Sequence, residues 1–384
     1  MQRIAVGWLT WQLTHSGLWL GIVAFADFFP VLLVGPIAGA AADRWDRLRV
    51  VQTSQCILLV QAAVLFALTA SGHMNIGLLV ALTAFQGVIV AFNQPARLAL
   101  VPSLVAQADL ASAVAINSVV FNLARFIGPM LAGPAIVWSG VDAAFAANAV
   151  SYIASLLALI SIRLVSTAAE SSKHRSFNKD LREGIRYTAT HPAIAALLML
   201  LIAVGIGGRP LNELLPGFAA DVFHSGAGGL SMLASATGAG AIIGGLWLGH
   251  SAHSSGLTNV AIGSSLGAAL AAIGVGSTSS MWVAIPSIAL FGLCVSSSGI
   301  AIQTLIQLAA DHKMRGRVMG VYGLIFRGAP AMGALAAGLA SSQFGLRWPV
   351  FFGALLVIAA GIWIYHNREQ ITATLPTQET DTAV

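Results

Sequence analysis

Three charged side chains stand near the middle of long apolar runs of this 384-residue sequence: Asp27, Arg125 and Arg327. A charge at the centre of a bilayer costs about 3 kcal/mol or more, so each needs a partner or a task. A carboxylate there can take up and release a proton. A guanidinium can hold that carboxylate or bind an anion. Asp27 lies ten residues into the run 17–41, and Arg327 ten residues into the run 317–342 from the opposite side. At ~1.5 Å per residue both lie roughly 15 Å deep, near the midplane. Arg125 lies within one turn of Asn122. Glu213 follows Arg209 by four residues, so the two can pair on one helix face. They are expected at the solvated outer end of the seventh run, with a cavity role for Glu213 as the alternative.

Other chemistry is missing from the pattern. Nine histidines show no HExxH spacing, and Cys56 and Cys294 lie singly in apolar runs. No phosphate-binding Gly-Lys-Ser/Thr loop and no nucleophile–base pair occur. The sequence therefore predicts no catalytic residue, no metal site and no cofactor. The triplet Ser296-Ser297-Ser298 reads as packing.

The elements that must position these charges are membrane helices. Apolar residues make up 57% of the chain and charged residues 9%, too few to coat a soluble surface. Apolar runs of spanning length fall at roughly 17–41, 50–70, 76–96, 113–138, 142–163, 192–215, 227–249, 257–276, 281–308, 317–342 and 347–366. A shorter stretch, Ile4 to Leu13, is part of another. With the loop after 41 in the cytoplasm, 14 of the 19 Lys and Arg fall on cytoplasmic segments, only Arg209 and Arg347 on the other side, and Arg3, Arg125 and Arg327 inside spans. That bias fixes the orientation, puts the C-terminus in the cytoplasm and explains the +5 charge without nucleic acid. Trp19, Trp138, Trp282 and Trp348 fall at outer ends, as an aromatic belt would.

A shift of 205 residues superposes the chain on itself. Seven of the 11 glycines before residue 180 land on another glycine, where chance gives fewer than two: Gly21/Gly226, Gly35/Gly240, Gly39/Gly244, Gly87/Gly292, Gly128/Gly333, Gly133/Gly338 and Gly140/Gly345. The chain reads as two homologous halves of about six helices, an all-α integral membrane protein. The expected boundaries are 1–165 for the first bundle, 166–191 for a cytoplasmic linker, 192–366 for the second bundle and 367–384 for a disordered cytoplasmic tail. The repeat aligns Met1 with Ile206, although the seventh run begins near Ala193. About 13 residues of the first helix are therefore missing from the pattern, and either an upstream start or a truncated form is expected.

Three motifs remain. The loop Gly39-Ala-Ala-Ala-Asp43-Arg44-Trp45-Asp46-Arg47 resembles the Gly-x-Leu-Ala-Asp-Arg-x-Gly-Arg-Arg loop of the major facilitator superfamily, with Ala41 and Asp46 departing from it. Gly39, Asp43, Arg44 and Arg47 would form a cytoplasmic gate; a loop that only fixes orientation is the alternative. Gly128-Pro129-Met-Leu-Ala-Gly133 is similar to the superfamily's antiporter motif, and a kink for close packing is the alternative. The run Ala91-Phe-Asn-Gln-Pro95-Ala96-Arg97, with Asn117-Ser118 and Met314-Arg315-Gly316-Arg317, looks like the branch that includes the enterobactin exporter and macrolide efflux proteins.

The resemblance implies the major facilitator fold of twelve helices in two pseudo-symmetric bundles, the first helix being incomplete here. It implies alternating access and proton-driven export of a siderophore-like or drug-like molecule, with protons and lipid as the further partners. A monomer in a bacterial inner membrane is expected. In that fold the second and eleventh helices face each other, so Asp27 would pair with Arg327 and exchange the ion pair for a proton; a static ion pair is the alternative. Arg125 and Arg327, with Asn122 and Glu213 in the cavity, would suit an anionic or catechol-bearing cargo. Arg125 paired with Asp27 or with backbone carbonyls is the alternative. A sensor, an assembly partner or a decayed transporter is the rival reading of the whole chain.

Overall fold

The computed structural model describes residues 1–101, 104–106, 109–162, 177–251, 256–311 and 313–367. At some helical positions, Gly39, Asp43, Arg44, Asn122 and Arg125 among them, only the backbone is described. The expected tail after Asn367 and the linker's 166–176 lie outside the described residues.

Every described element is a helix. The first half holds α1 (Gln2–Thr14), α2 (Gly17–Arg44), α3 (Arg47–Ala70), α4 (Ile76–Leu100), α5 (Leu110–Ser139) and α6 (Val141–Ile160). A connecting helix α7 (Phe177–Thr190) precedes α8 (Pro192–Ala203), α9 (Leu211–Gly217), α10 (Gly226–Ser251), α11 (Leu257–Ser277), α12 (Met281–Ala309), α13 (Arg315–Phe344) and α14 (Arg347–His366). Among the described residues, ten helical stretches are long and apolar enough to cross a membrane. All eleven apolar runs of the sequence fall on helices. With 13 residues, α1 is ~20 Å long, short of a ~30 Å hydrocarbon core.

Helix ends follow local chemistry. Asp46 caps α3 by accepting from Leu48 N at 2.9 Å and Arg49 N at 3.2 Å. This explains an acidic residue where the family loop has glycine. Asn75 caps α4 through Leu78 N at 2.9 Å, and Pro192 opens α8 at its first turn. Gly140 and Gly345, repeat partners, end α5 and α13 with φ of 90° and 84°. Only glycine adopts that backbone without strain.

The seventh span differs from its expected form. It runs from Pro192 to Val222, and two π turns, Val204–Gly208 and Phe218–Val222, interrupt it. Arg209 and Glu213 are therefore inside the helix, not at a solvated end. Each π turn inserts a residue and re-aims the side chains beyond it, a device frequent at functional sites.

The halves meet along two seams, α2 against α13 and α5 against α10. Both are tight at the end carrying the short turns at 15–16 and 345–346. A Cβ on Gly21 would lie 2.5 Å from Ala334 O, and one on Gly338 would lie 2.9 Å from Gly17 O. On the other seam a Cβ on Gly133 would lie 2.2 Å from Ser231 Cβ, and Ser231 Oγ donates to Pro129 O. Toward the opposite, basic end a Cβ on Gly35, Gly320 or Gly323 would meet nothing within 4 Å.

The helix α7 is fastened to the second half. Glu183 pairs with Arg317 at 2.8 Å, Tyr187 Oη donates to Asp311 Oδ2 at 3.0 Å, and Gly184 lets the α13 backbone approach at Arg317 O. Burial pushes the Tyr187 phenol above its ordinary value, so it stays a donor at neutral pH.

Candidate functional site between the halves

The charges converge where α1, α2, α4 and α9 meet. Arg3 of α1 forms an ion pair with Glu213 of α9, 210 residues away and in the other half. Its guanidinium lies 4.9 Å from the centroid of the Phe28 ring, a cation–π contact. Asp27 is close enough to act electrostatically on Arg3. Among the described residues Asp27 makes no hydrogen bond and no ion pair. It lines a pocket of about 40 Å³ with Arg3, Gln2, Thr83, Gln86 and Glu213. That volume holds a few waters and no siderophore- or drug-sized molecule. The arrangement is two carboxylates around one cation, beside water-sized space. It can hold a proton or release one while the net charge changes by one unit.

Arg327 does not meet Asp27. Its guanidinium donates to Gln94 Oε1 of α4. The reason is register. On the α2–α13 seam Gly21 faces Ala334 and Gly338, while Gly328 faces Leu32. Arg327 is thus level with residues beyond Leu32, and Asp27 lies more than one helical turn, roughly 9 Å, nearer the short-turn end. The antiparallel offset keeps the two apart in this conformation.

The remaining candidates distribute as follows. Arg47 donates to Ala99 O of α4 at 3.2 Å, tying the start of α3 to the end of α4. The side chains of Asp43, Arg44, Asn122 and Arg125 lie outside the described residues. Gly128 and Gly133 are contact points: a Cβ on Gly128 would lie 3.3 Å from Met1 N, and Gly133 and Pro129 hold Ser231. Their repeat partners behave alike, with Gly333 approaching Ile206 O, the counterpart of Met1. In the second half Arg209 stacks over Phe326, 4.2 Å from its centroid.

Sequence reasoning passed over Arg3, which it placed inside the first helix and gave no role. Its depth in that helix was the available signal. It also passed over a cluster of buried and half-buried amides. Gln2 Nε2 donates to Gln61 Oε1 at 3.0 Å and to Gln86 Oε1, Asn148 Nδ2 donates to Gln2 Oε1, and Gln61 Nε2 donates to Leu82 O at 3.3 Å. Isolated amides 25 to 146 residues apart give no sequence pattern.

A two-bundle helical membrane fold with ionisable groups at the junction of the bundles defines a secondary transporter of the major facilitator superfamily. The chain belongs within it to the transmembrane secretion effector family, whose model matches residues 1–381. The chain is similar to the staphyloferrin A transporter of Staphylococcus aureus, 24% identical over 96% of this chain and 92% of that one. It is 28% identical to the enterobactin exporter EntS of Escherichia coli, over 90% of this chain and 84% of the other. Macrolide efflux protein A of Streptococcus pyogenes is 22% identical over 94% and 90%. A solved bacterial homolog of the human lysosomal transporter Spinster, inward-facing and occupied, shares the fold with a TM-score of 0.76. It is 15% identical, over 98% of this chain and 95% of that one. The protein is a multi-pass membrane transporter and not an enzyme.

Proposed function

We propose that the protein exports a siderophore-like or drug-like small molecule across a bacterial inner membrane, by alternating access and in exchange for protons. The observation that carries this reading is Asp27, a carboxylate without an ion pair among the described residues, beside an Arg3–Glu213 pair that bridges the halves. Any rocking of one half against the other stretches that pair. A guanidinium leaving Glu213 for Asp27, or returning, changes which carboxylate is compensated and which can hold a proton. Proton occupancy is thereby tied to the relative position of the halves. The roles of relatives favour the cargo class, since their names cover two siderophores and a macrolide.

The basic end is the cytoplasmic side in this reading, because membrane proteins keep Lys and Arg inside. The tight seams at the short-turn end and the open glycines at the basic end support a conformation open to the cytoplasm. Arg327 and Arg125, with Asn122, serve as cationic and polar contacts for an anionic cargo in the central cavity. Gly39, Asp43, Arg44 and Arg47 serve as the cytoplasmic gate, and the chain acts as a monomer.

The test is proton release on adding a catechol siderophore, a carboxylate siderophore, a macrolide or a cationic dye to purified protein in weak buffer. One compound acidifies the wild type, and Asp27→Asn abolishes the signal. Release that survives Asp27→Asn removes the carboxylate from the coupling role, and silence of the folded wild type to the whole panel overturns the exchange.

A further inference from the structure

The repeat supplies a control for every residue of the first half, namely its counterpart 205 positions on. Four amides, two buried and two half-buried, are carried by α1, α3, α4 and α6 and converge on one point. Gln2 and Gln61 are 6% and 2% exposed. Their counterparts are Gly207, Leu266, Phe291 and Gly353. The second half solves the same packing problem without a polar atom from a side chain. Gly207 and Gly353 bring two backbones together, a Cβ on Gly353 lying 2.1 Å from Gly207 O. Leu266 packs on Gly361, and Phe291 is fully buried. The fold itself therefore does not need amides at this point. Buried polar groups in a membrane are retained for a use.

That use is local to the charged site. Gln2 precedes Arg3 in the same turn of α1, and Gln2 and Gln86 line the pocket beside Asp27. A helix held by apolar contacts alone can roll, since dispersion is not directional. Hydrogen bonds to three other helices are directional and admit one roll angle. We propose that the amide node of Gln2, Gln61, Gln86 and Asn148 is a positioning device that fixes the roll of α1, so that Arg3 faces Glu213 and Asp27 at once. The node makes the first half the rigid carrier of the cation, and the second half brings Glu213 to it. The second half, with glycine at the counterpart of Arg3, has no cation to position there and has no node. Among the described residues, the charged and titratable groups that face Arg3 or the node are Asp27 of α2, Glu213 of α9, Tyr152 of α6 beside Asn148, and the α-amino group of Met1 next to Gln2. From α4 the neighbours Thr83 and Gln86 carry no charge.

The proposal rests on the proton-exchange reading above, and its test separates the two. Gln61→Leu installs the residue that the second half uses at the same point, and Asn148→Ala removes a different arm should the first variant fail to fold. Protons released per cargo molecule bound and cargo Kd are both measured on the full chain in detergent. The expected result is a ratio at least twofold below wild type with Kd within twofold. A structural role would lower the yield of folded protein and leave the ratio alone. An unchanged ratio in a folded variant overturns the positioning role and spares the exchange reading. Loss of cargo affinity instead would make the node part of the cargo site and also overturn the proposal. A wild type that releases no protons overturns both.

Discussion

Arg3 shows what a single residue can owe to distance. Its partner Glu213 is 210 positions away and its aromatic cover, Phe28, is on the next helix. No local spacing announces the ion pair. What the sequence does announce is cost, because an arginine inside an apolar stretch demands compensation. By that logic Asp27 and Glu213 were visible as candidates, and Arg3, their common neighbour, carried the same signal without being given a role. Arg327 bonds Gln94 and not Asp27 in this conformation, because depth along a helix does not give register between helices. Glu213→Gln is expected to reduce proton-coupled exchange at least tenfold, a loss of about 1.4 kcal/mol, while Glu213→Asp retains part of it. The comparison is made by the pH change per cargo bound. Equal activity of the Gln variant would show the interhalf pair to be incidental.

At the scale of elements, the spans were legible because ~20 apolar residues in a row admit few other structures. Interruptions were less so. The π turns in the seventh span depend on packing, with Gly205 against Ala329 and Gly207 against Gly353, and leave no composition signal. Close approach predicts where substitution is tolerated. Gly353→Ala places a methyl 2.1 Å from Gly207 O in backbone that cannot swing aside. Overpacking of this kind costs about 1–3 kcal/mol, and a lower melting temperature in detergent is expected. Gly263→Ala in α11 meets nothing within 4 Å and removes a flexible residue from a helix interior, so it should leave stability equal or higher. A drop in both would mean that glycine is needed for helix geometry and not for contact. The docking of α7 gives a second element-scale expectation. Tyr187→Phe with Glu183→Gln removes the Asp311 and Arg317 contacts, and tryptic cleavage after the exposed Arg182 and Arg186 should accelerate at least fivefold.

For the molecule as a whole, the glycine spacing carried the two-half architecture further than any motif. Pairs such as Gly87/Gly292 and Gly140/Gly345 recur because each fills the same place in its half. A Cβ would meet Asp27 O at the first and Thr237 O at the second, and the latter two share a positive φ. The departures from the repeat mark the function. The amide node, Arg3 and Asp27 have only Gly207, Leu266, Phe291, Gly353, Gly208 and Met232 opposite them. The same contacts yield a test of motion and sidedness together. Gly133 is the point where α5 touches α10 at the short-turn end, so Gly133→Leu drives a wedge into a seam where its first carbon alone would lie 2.2 Å from Ser231 Cβ. If the halves rock, the molecule relieves the wedge by opening that end and closing the other. Ala227, buried in the same seam at 7% exposure, reports the change when replaced by cysteine in a chain lacking Cys56 and Cys294. In whole cells an impermeant maleimide is expected to label Ala227→Cys at least five times faster with the wedge than without it. Labelling gained only in inverted vesicles would reverse the orientation that the arginine distribution implies. Labelling unchanged on both sides, with the protein folded, would mean that the seam does not open and that alternating access is not how this chain moves its cargo.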